Sequence, residues 1–168
     1  MKQLLTILLA MLTVSAGAGE KDVLDYVNTF IGTSSMGHVF PGACVPHGGV
    51  QLSPDTEAAP FYRDGKYNSE TYRYCAGYQY GDPTIVGFSH THLSGTGHSD
   101  LGDILMMPTS GEVSLEPGTV ENPGYRSRFS HDTEKAVPGH YEVYLEDSGV
   151  EAQLTATKRT GDHKYTFR

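Results

Sequence analysis

In the stretch HYEVYLEDSGVEAQLTAT, residues 140–157, apolar and polar side chains alternate on either side of a single turn. Tyr141, Val143 and Leu145 alternate with Glu142, Tyr144 and Glu146; Val150, Ala152, Leu154 and Ala156 alternate with Glu151, Gln153, Thr155 and Thr157. Successive side chains of a strand leave on opposite faces, so each run has one apolar and one polar face. Asp147-Ser148-Gly149 between them is turn chemistry. The stretch predicts an antiparallel hairpin with one face buried and the other in water.

The surrounding sequence extends that pattern. The chain has 20 Gly, 9 Pro and 11 Tyr, and after its first residues no run keeps helical periodicity for three turns. Shorter strands are expected at residues 49–52, 78–80, 84–88, 104–107, 112–115 and 125–129, separated by Gly and Pro turns, which indicates an all-β, antiparallel β-sandwich. One short helix is expected at residues 22–27, capped by Asp22. Residues 58–69, with Pro60 and Gly65, read as a surface excursion. At the C-terminal end HKYTFR, residues 163–168, alternates like a strand with Tyr165 and Phe167 on one face. A strand there with nothing after it leaves a half-built sheet edge, so the sandwich is expected to be incomplete at its C-terminus.

Composition narrows the function classes. The formal charge is −8 and the pI about 5.4, without basic runs, which disfavours nucleic acid and anionic membrane and suits a neutral ligand. Residues 1–18 read as a signal peptide: Lys2 is the positive start, residues 4–14 are apolar, and Ala16-Gly17-Ala18 is a small-residue cleavage site. That apolar run is too short to span a bilayer. The mature domain is then residues 19–168, secreted or periplasmic. Cys44 and Cys75 allow a single disulfide, which an oxidising compartment would permit.

Chemistry concentrates in GFSHTHLSGTGHSDLGDILMMP, residues 87–108. His90 and His92 sit two apart, so in an extended segment both imidazoles leave one face, as a metal pair or a sugar-binding pair requires. His98 and Asp100 extend a metal reading toward a small metalloenzyme, but no Cys-x-x-Cys or His-Glu-x-x-His frame accompanies them. The other reading has these histidines and hydroxyls bonding to backbone and to one another, or facing a pocket completed elsewhere. Asp103 reads as a turn cap, Asp55 after Ser53-Pro54 as a turn former, and Glu142 and Glu146 as solvated.

Six segments together resemble a known family. DYVNTFIGT (25–33), HVFPGA (38–43), VPHGGVQLSPDT (45–56), CAGY (75–78), GFSHTHLSGTG (87–97) and GDILMMP (102–108) are similar, in order, to glycoside hydrolase family 92, the bacterial exo-acting α-mannosidases. The resemblance implies an N-terminal β-sandwich followed by a much longer catalytic helical-barrel domain, with a calcium-dependent inverting site between them that acts on mannose-containing glycans. Acid, base and calcium ligands are then expected outside this chain, and no catalytic residue is assigned within it. The family's aromatic before its Cys-Gly-Tyr motif, usually Trp, has Tyr72 as positional match and Tyr74 as reserve, since the chain has no Trp. The substrate-binding set implied by resemblance and motif is Tyr72, Tyr74, Cys75, His90 and His92. His47 stands where many relatives carry Phe. Against these roles, Tyr72 and Tyr74 also suit sheet-surface tyrosines and Cys75 a small packing residue. The alternative function is a stand-alone carbohydrate-binding or structural sandwich without catalytic activity.

Overall fold

A computed structural model describes residues 22–58, 62–98 and 101–168. The predicted hairpin is the centre of a four-stranded antiparallel meander. Its strands are β8 (Lys135–Val137), β9 (His140–Leu145), β10 (Val150–Ala156) and β11 (Gly161–Phe167), in the spatial order β11-β10-β9-β8. Val150 pairs with Leu145 and Leu154 with Tyr141, so the apolar residues of both strands share one face. That face is closed to water: Tyr141, Val143, Leu145, Val150, Ala152 and Leu154 are all buried, whereas the alternating residues are partly or fully exposed.

The second layer is a three-stranded sheet, β1 (Ala43–Cys44), β2 (Gln51–Asp55) and β6 (Gly87–Ser89). It packs on β9 and β10 and adds Ala43, Leu52 and Phe88 to the same core, which Tyr78 and Ile85 join from outside that sheet. Fully burying each large aliphatic or aromatic side chain here contributes about 1.5–3 kcal/mol before the entropy of ordering is counted. Phe30, Val50, Met107, Ala136 and Tyr165 close the margins. The architecture is all-β and antiparallel, as the sequence predicts.

Several boundaries differ from expectation. The strand placed at 49–52 lies at β2, two residues later. The run 84–88 is not one strand: β5 (Thr84–Ile85) pairs with β7 (Ser127–Arg128), while β6 pairs with β2. The chain crosses from one partner to the other at Val86, whose N–H donates to the Asp55 carbonyl at 2.8 Å. Residues 78–80 form no strand, although Tyr78 and Gln79 are buried. The expected strand 104–107 reduces to a single bridge between Met106 and Phe88. Residues 112–115 are irregular, with Val113 and Leu115 largely exposed, because no strand among the described residues offers them a ladder or a core. Tyr165 faces the core as expected, but Phe167, at the frayed end of β11, is exposed.

Asp22 caps the expected helix, which is a single 3-10 turn, Val23–Tyr26, with Asp25 completing a capping box. The excursion 58–69 carries a small hairpin, β3 (Tyr62–Arg63) and β4 (Lys66–Tyr67), then leads into a second 3-10 helix, Ser69–Tyr74, capped by Asn68. The permitted disulfide is not formed: Cys44 is exposed on β1, and Cys75 is buried just beyond the second helix. Residues 1–18, Pro60 and Asp100 lie outside the described residues. No helix among those described is long and apolar enough to cross a membrane.

Candidate functional site

Asp55, the last residue of β2, and Ser89, the last of β6, sit diagonally across their antiparallel ladder, and a buried polar cluster forms between them. Asp55 Oδ2 accepts a 2.5 Å hydrogen bond from Ser89 Oγ, and Asp55 Oδ1 lies 3.1 Å from His92 Nε2. His92 Nδ1 lies 2.8 Å from the Gln51 carbonyl. That carbonyl can only accept, so Nδ1 donates and the charged ring, donating from both nitrogens, satisfies both partners. Burial alone would push the imidazolium down; the Asp55 carboxylate, its hydrogen bond and the Gln51 carbonyl outweigh it and hold His92 above its ordinary value. The serine hydroxyl points at the carboxylate and is closed to solvent, so the trio is a structural tie between strand ends.

Gly77 is required beside this tie. Its φ is +80°, and a Cβ there would lie 2.1 Å from Asp55 Oδ1 and 2.8 Å from His92 Nε2. The backbone of the Cys75-Ala76-Gly77-Tyr78 segment therefore lies directly against the carboxylate, and Thr56 N–H donates to the Gly77 carbonyl at 3.0 Å.

Asp55 also borders an open cleft of about 210 Å³, with Glu57, Thr71, Tyr74, Leu101 and Leu105 among its lining residues. Tyr74 comes from the second 3-10 helix. Burial, with Asp82 next to the phenol, pushes it up to about 12. Tyr72, on the same helix, is 41% exposed and meets the His38 ring edge-on, with centroids 4.9 Å apart and planes at 81°. The loop at Gly97 closes on its phenol: a Cβ at Gly97 would lie 2.8 Å from the hydroxyl. Tyr72 is thus an aromatic surface braced on two sides.

The five residues singled out by sequence fall into three environments. Tyr72 and Tyr74 reach the surface and the cleft, while Cys75 and His92 are buried. His90 points elsewhere: its Nδ1 lies 2.9 Å from the Ile104 carbonyl and its Nε2 3.1 Å from His163 Nε2. The same-face geometry expected of His90 and His92 is absent because β6 ends before them. The base of their loop is pinned by Thr91, whose hydroxyl donates to Asp103 Oδ2 and accepts from the Gly102 and Asp103 amides. Asp103 therefore ties the two ends of a loop rather than capping a turn, and Asp55, the last residue of β2, is no turn former. Asp55 and Ser89 are the residues sequence reasoning missed, and the signal available was their place at the ends of two apolar strands.

Comparison with known proteins places the chain. The N-terminal domain of glycosyl hydrolase family 92 matches residues 26–168. The chain is 48% identical to a family 92 α-mannosidase of Bacteroides thetaiotaomicron solved in complex with mannoimidazole, with a TM-score of 0.78 over 88% of this chain and 18% of that one. An inverting family 92 mannosidase of Bacteroides thetaiotaomicron superimposes with a TM-score of 0.60 at 27% identity, over 89% of this chain and 19% of that one. An uncharacterised secreted glycosidase of Arthroderma benhamiae is 30% identical over 158 residues, 88% of this chain and 18% of that protein. The chain thus spans about a fifth of the length of these relatives.

Proposed function

The chain belongs to glycoside hydrolase family 92, as its N-terminal domain, and on that premise we propose that it opens a secreted, calcium-dependent exo-α-mannosidase. The whole enzyme removes terminal α-linked mannose from glycans with inversion. Residues 1–18 direct export, and residues 19–168 form the sandwich. The observation that carries this reading is the 48% identity to an α-mannosidase whose structure was solved in complex with mannoimidazole. The fungal secreted glycosidase supports export.

Inversion requires a carboxylic acid at the leaving oxygen and a carboxylate base with a water between it and the sugar, the two carboxyl groups about 6.5–9.5 Å apart. In this proposal a helical-barrel domain of the same polypeptide supplies both. Calcium takes six to eight oxygen ligands. Among the described residues no group of three or more His, Cys, Asp or Glu is placed to hold a metal. These residues do not fit calcium, and its ligands are assigned to the same further domain. The sandwich contributes one wall of the sugar pocket. Tyr72 presents a pyranose-stacking face and Tyr74 lines the cleft. His92, with Asp55, packs against the Gly77 backbone of the Cys75–Tyr78 segment that follows those aromatics, while His90 is turned away from them. Leu101, Ile104, Leu105 and Met106, all exposed on the loop beside the cleft, give the helical domain an apolar surface to dock on.

The test is made on the native polypeptide, captured from its source cells with an antibody to residues 84–108. It should be several times larger than this chain and release mannose from terminal α-mannosides. The β-anomer should appear first by NMR, with activity lost to a chelator and restored by calcium. Material that releases no mannose would remove the enzyme reading. In the same polypeptide Tyr72→Ala should lower kcat/KM about tenfold, the kinetic equivalent of about 1.4 kcal/mol of aromatic stacking, while Tyr72→Trp retains it. An unchanged kcat/KM in Tyr72→Ala would take Tyr72 out of the pocket.

A further inference from the structure

His90 and His163 meet at the edge of the sandwich. His90 follows β6 in the three-stranded layer and His163 lies on β11 in the four-stranded layer, with their Nε2 atoms 3.1 Å apart. The second nitrogen of each ring is already engaged. The Ile104 carbonyl, 2.9 Å from His90 Nδ1, can only accept, so that nitrogen carries the ring hydrogen and neutral His90 presents a bare lone pair on Nε2. The Tyr165 hydroxyl, 2.7 Å from His163 Nδ1, can donate or accept. When it donates, His163 Nε2–H donates in turn to His90. When it accepts, His163 carries its hydrogen on Nδ1 and the two Nε2 lone pairs converge on one point. Turning one hydroxyl hydrogen and moving the ring proton from Nε2 to Nδ1 interconverts the two, with no heavy atom displaced.

We propose that His90 and His163 form a binding site for a divalent transition-metal ion of the zinc type, held by the two Nε2 atoms and completed by water. A ligating histidine commonly donates its other N–H to a carbonyl or similar acceptor, which fixes the ring and raises its basicity. Ile104 O and Tyr165 Oη stand in those two positions. With Zn–N bonds of about 2.0–2.1 Å, nitrogens 3.1 Å apart subtend an angle of about 95–100° at the ion. That angle lies between octahedral and tetrahedral values. Both rings are half-buried, leaving one side of the site open for water. Gly161 makes room for the first ligand: a Cβ there would lie 2.8 Å from His90 Cδ2. Imidazole nitrogens suit zinc, copper and nickel and do not suit calcium, so this site is separate from the calcium dependence proposed above.

The full chain, stripped with a chelator, is titrated with zinc chloride by calorimetry and followed by ¹⁵N NMR of its histidine rings. One ion should bind per chain, shifting the Nε2 resonances of both His90 and His163, and calcium should leave both unmoved. His163→Gln should weaken zinc binding at least tenfold. Tyr165→Phe, which keeps the ring and removes only the acceptor, should weaken it about tenfold. Zinc that leaves the two Nε2 resonances in place, or that binds both variants as tightly as the parent, would overturn the site and assign any binding to other histidines. Should His163→Gln fail to fold, the Tyr165→Phe titration and the NMR shifts decide alone.

Discussion

Asp55→Ala is expected to cost about 3–5 kcal/mol of folding stability, because it leaves the buried His92 imidazolium without its counter-charge and the Ser89 hydroxyl without its acceptor. For a domain whose whole stability is about 5–15 kcal/mol, that loss brings the chain close to unfolding. Asp55→Asn, which keeps shape and one acceptor, should cost less. The pH dependence follows from the direction of the His92 shift. Its folded pKa is raised above the unfolded value of 6.5, so the stabilisation is fully present below 6.5 and is lost as pH rises through the folded value. Urea midpoints of the parent chain should fall across that window while those of Asp55→Ala do not, so the gap between the two is widest near pH 6. Parallel pH profiles would show that the charged pair is not what Asp55 contributes.

The second large effect is at Glu134. Its carboxylate is almost fully buried and accepts from Tyr78 Oη at 3.0 and 3.1 Å, Tyr141 Oη at 2.6 Å and His131 Nδ1 at 2.6 Å. Tyr141 belongs to β9 and Tyr78 to the connection that follows the second 3-10 helix, so one carboxylate ties a sheet to a loop. Glu134→Ala strands two buried hydroxyls at about 1–3 kcal/mol each and should cost about 3–5 kcal/mol in urea unfolding. Glu134→Gln, which keeps one acceptor, should cost roughly half as much. Adding Tyr78→Phe and Tyr141→Phe to Glu134→Ala should recover much of the loss, since removing both sides of a buried hydrogen bond is far cheaper than removing one. No recovery in the triple variant would mean that Glu134 acts through something other than these phenols. Burial, and then the Glu134 charge, push both phenols far above the ordinary tyrosine value, so neither should ionise before the chain unfolds in alkali.

What the sequence revealed depended on whether a residue's role was periodic or positional. The hairpin of β9 and β10 was legible because seven apolar residues share one face at a period of two, and Asp22 because a cap acts within three residues of itself. The break at Val86 was not: Thr84-Ile85-Val86-Gly87-Phe88 reads as one apolar run, and only pairing shows that its halves belong to different partners. Asp55 was misread for a related reason. Pro54 argues against a strand, because it cannot donate to a ladder. In the fold, however, Pro54 stands opposite Phe88 of β6, whose N–H and carbonyl both turn away to Met106, and on its other side β1 pairs only with Gln51 and Leu52, so no ladder partner needs an N–H from Pro54. The cysteines illustrate the limit, since their spacing carried no information on whether they lie within reach of each other. The aromatic positions Tyr72 and Tyr74 came from resemblance, and the structure adds that one is braced by His38 and Gly97 while the other borders the cleft.

The two layers of the core are widely separated along the polypeptide. β1, β2 and β6 are complete by residue 89, while the strands that cover them begin at residue 135 and the largest of their apolar residues come from 141–154. On a ribosome, where residues emerge in order, the first layer has nothing to fold against for some fifty residues. Leu52, Ile85 and Phe88 stay wet until the late meander arrives, and the meander, whose pairings are all between sequence neighbours, forms quickly once released. Folding of this chain is therefore gated by its last strands, and an arrested or clipped product ending before residue 140 would be an adhesive, unfinished sheet.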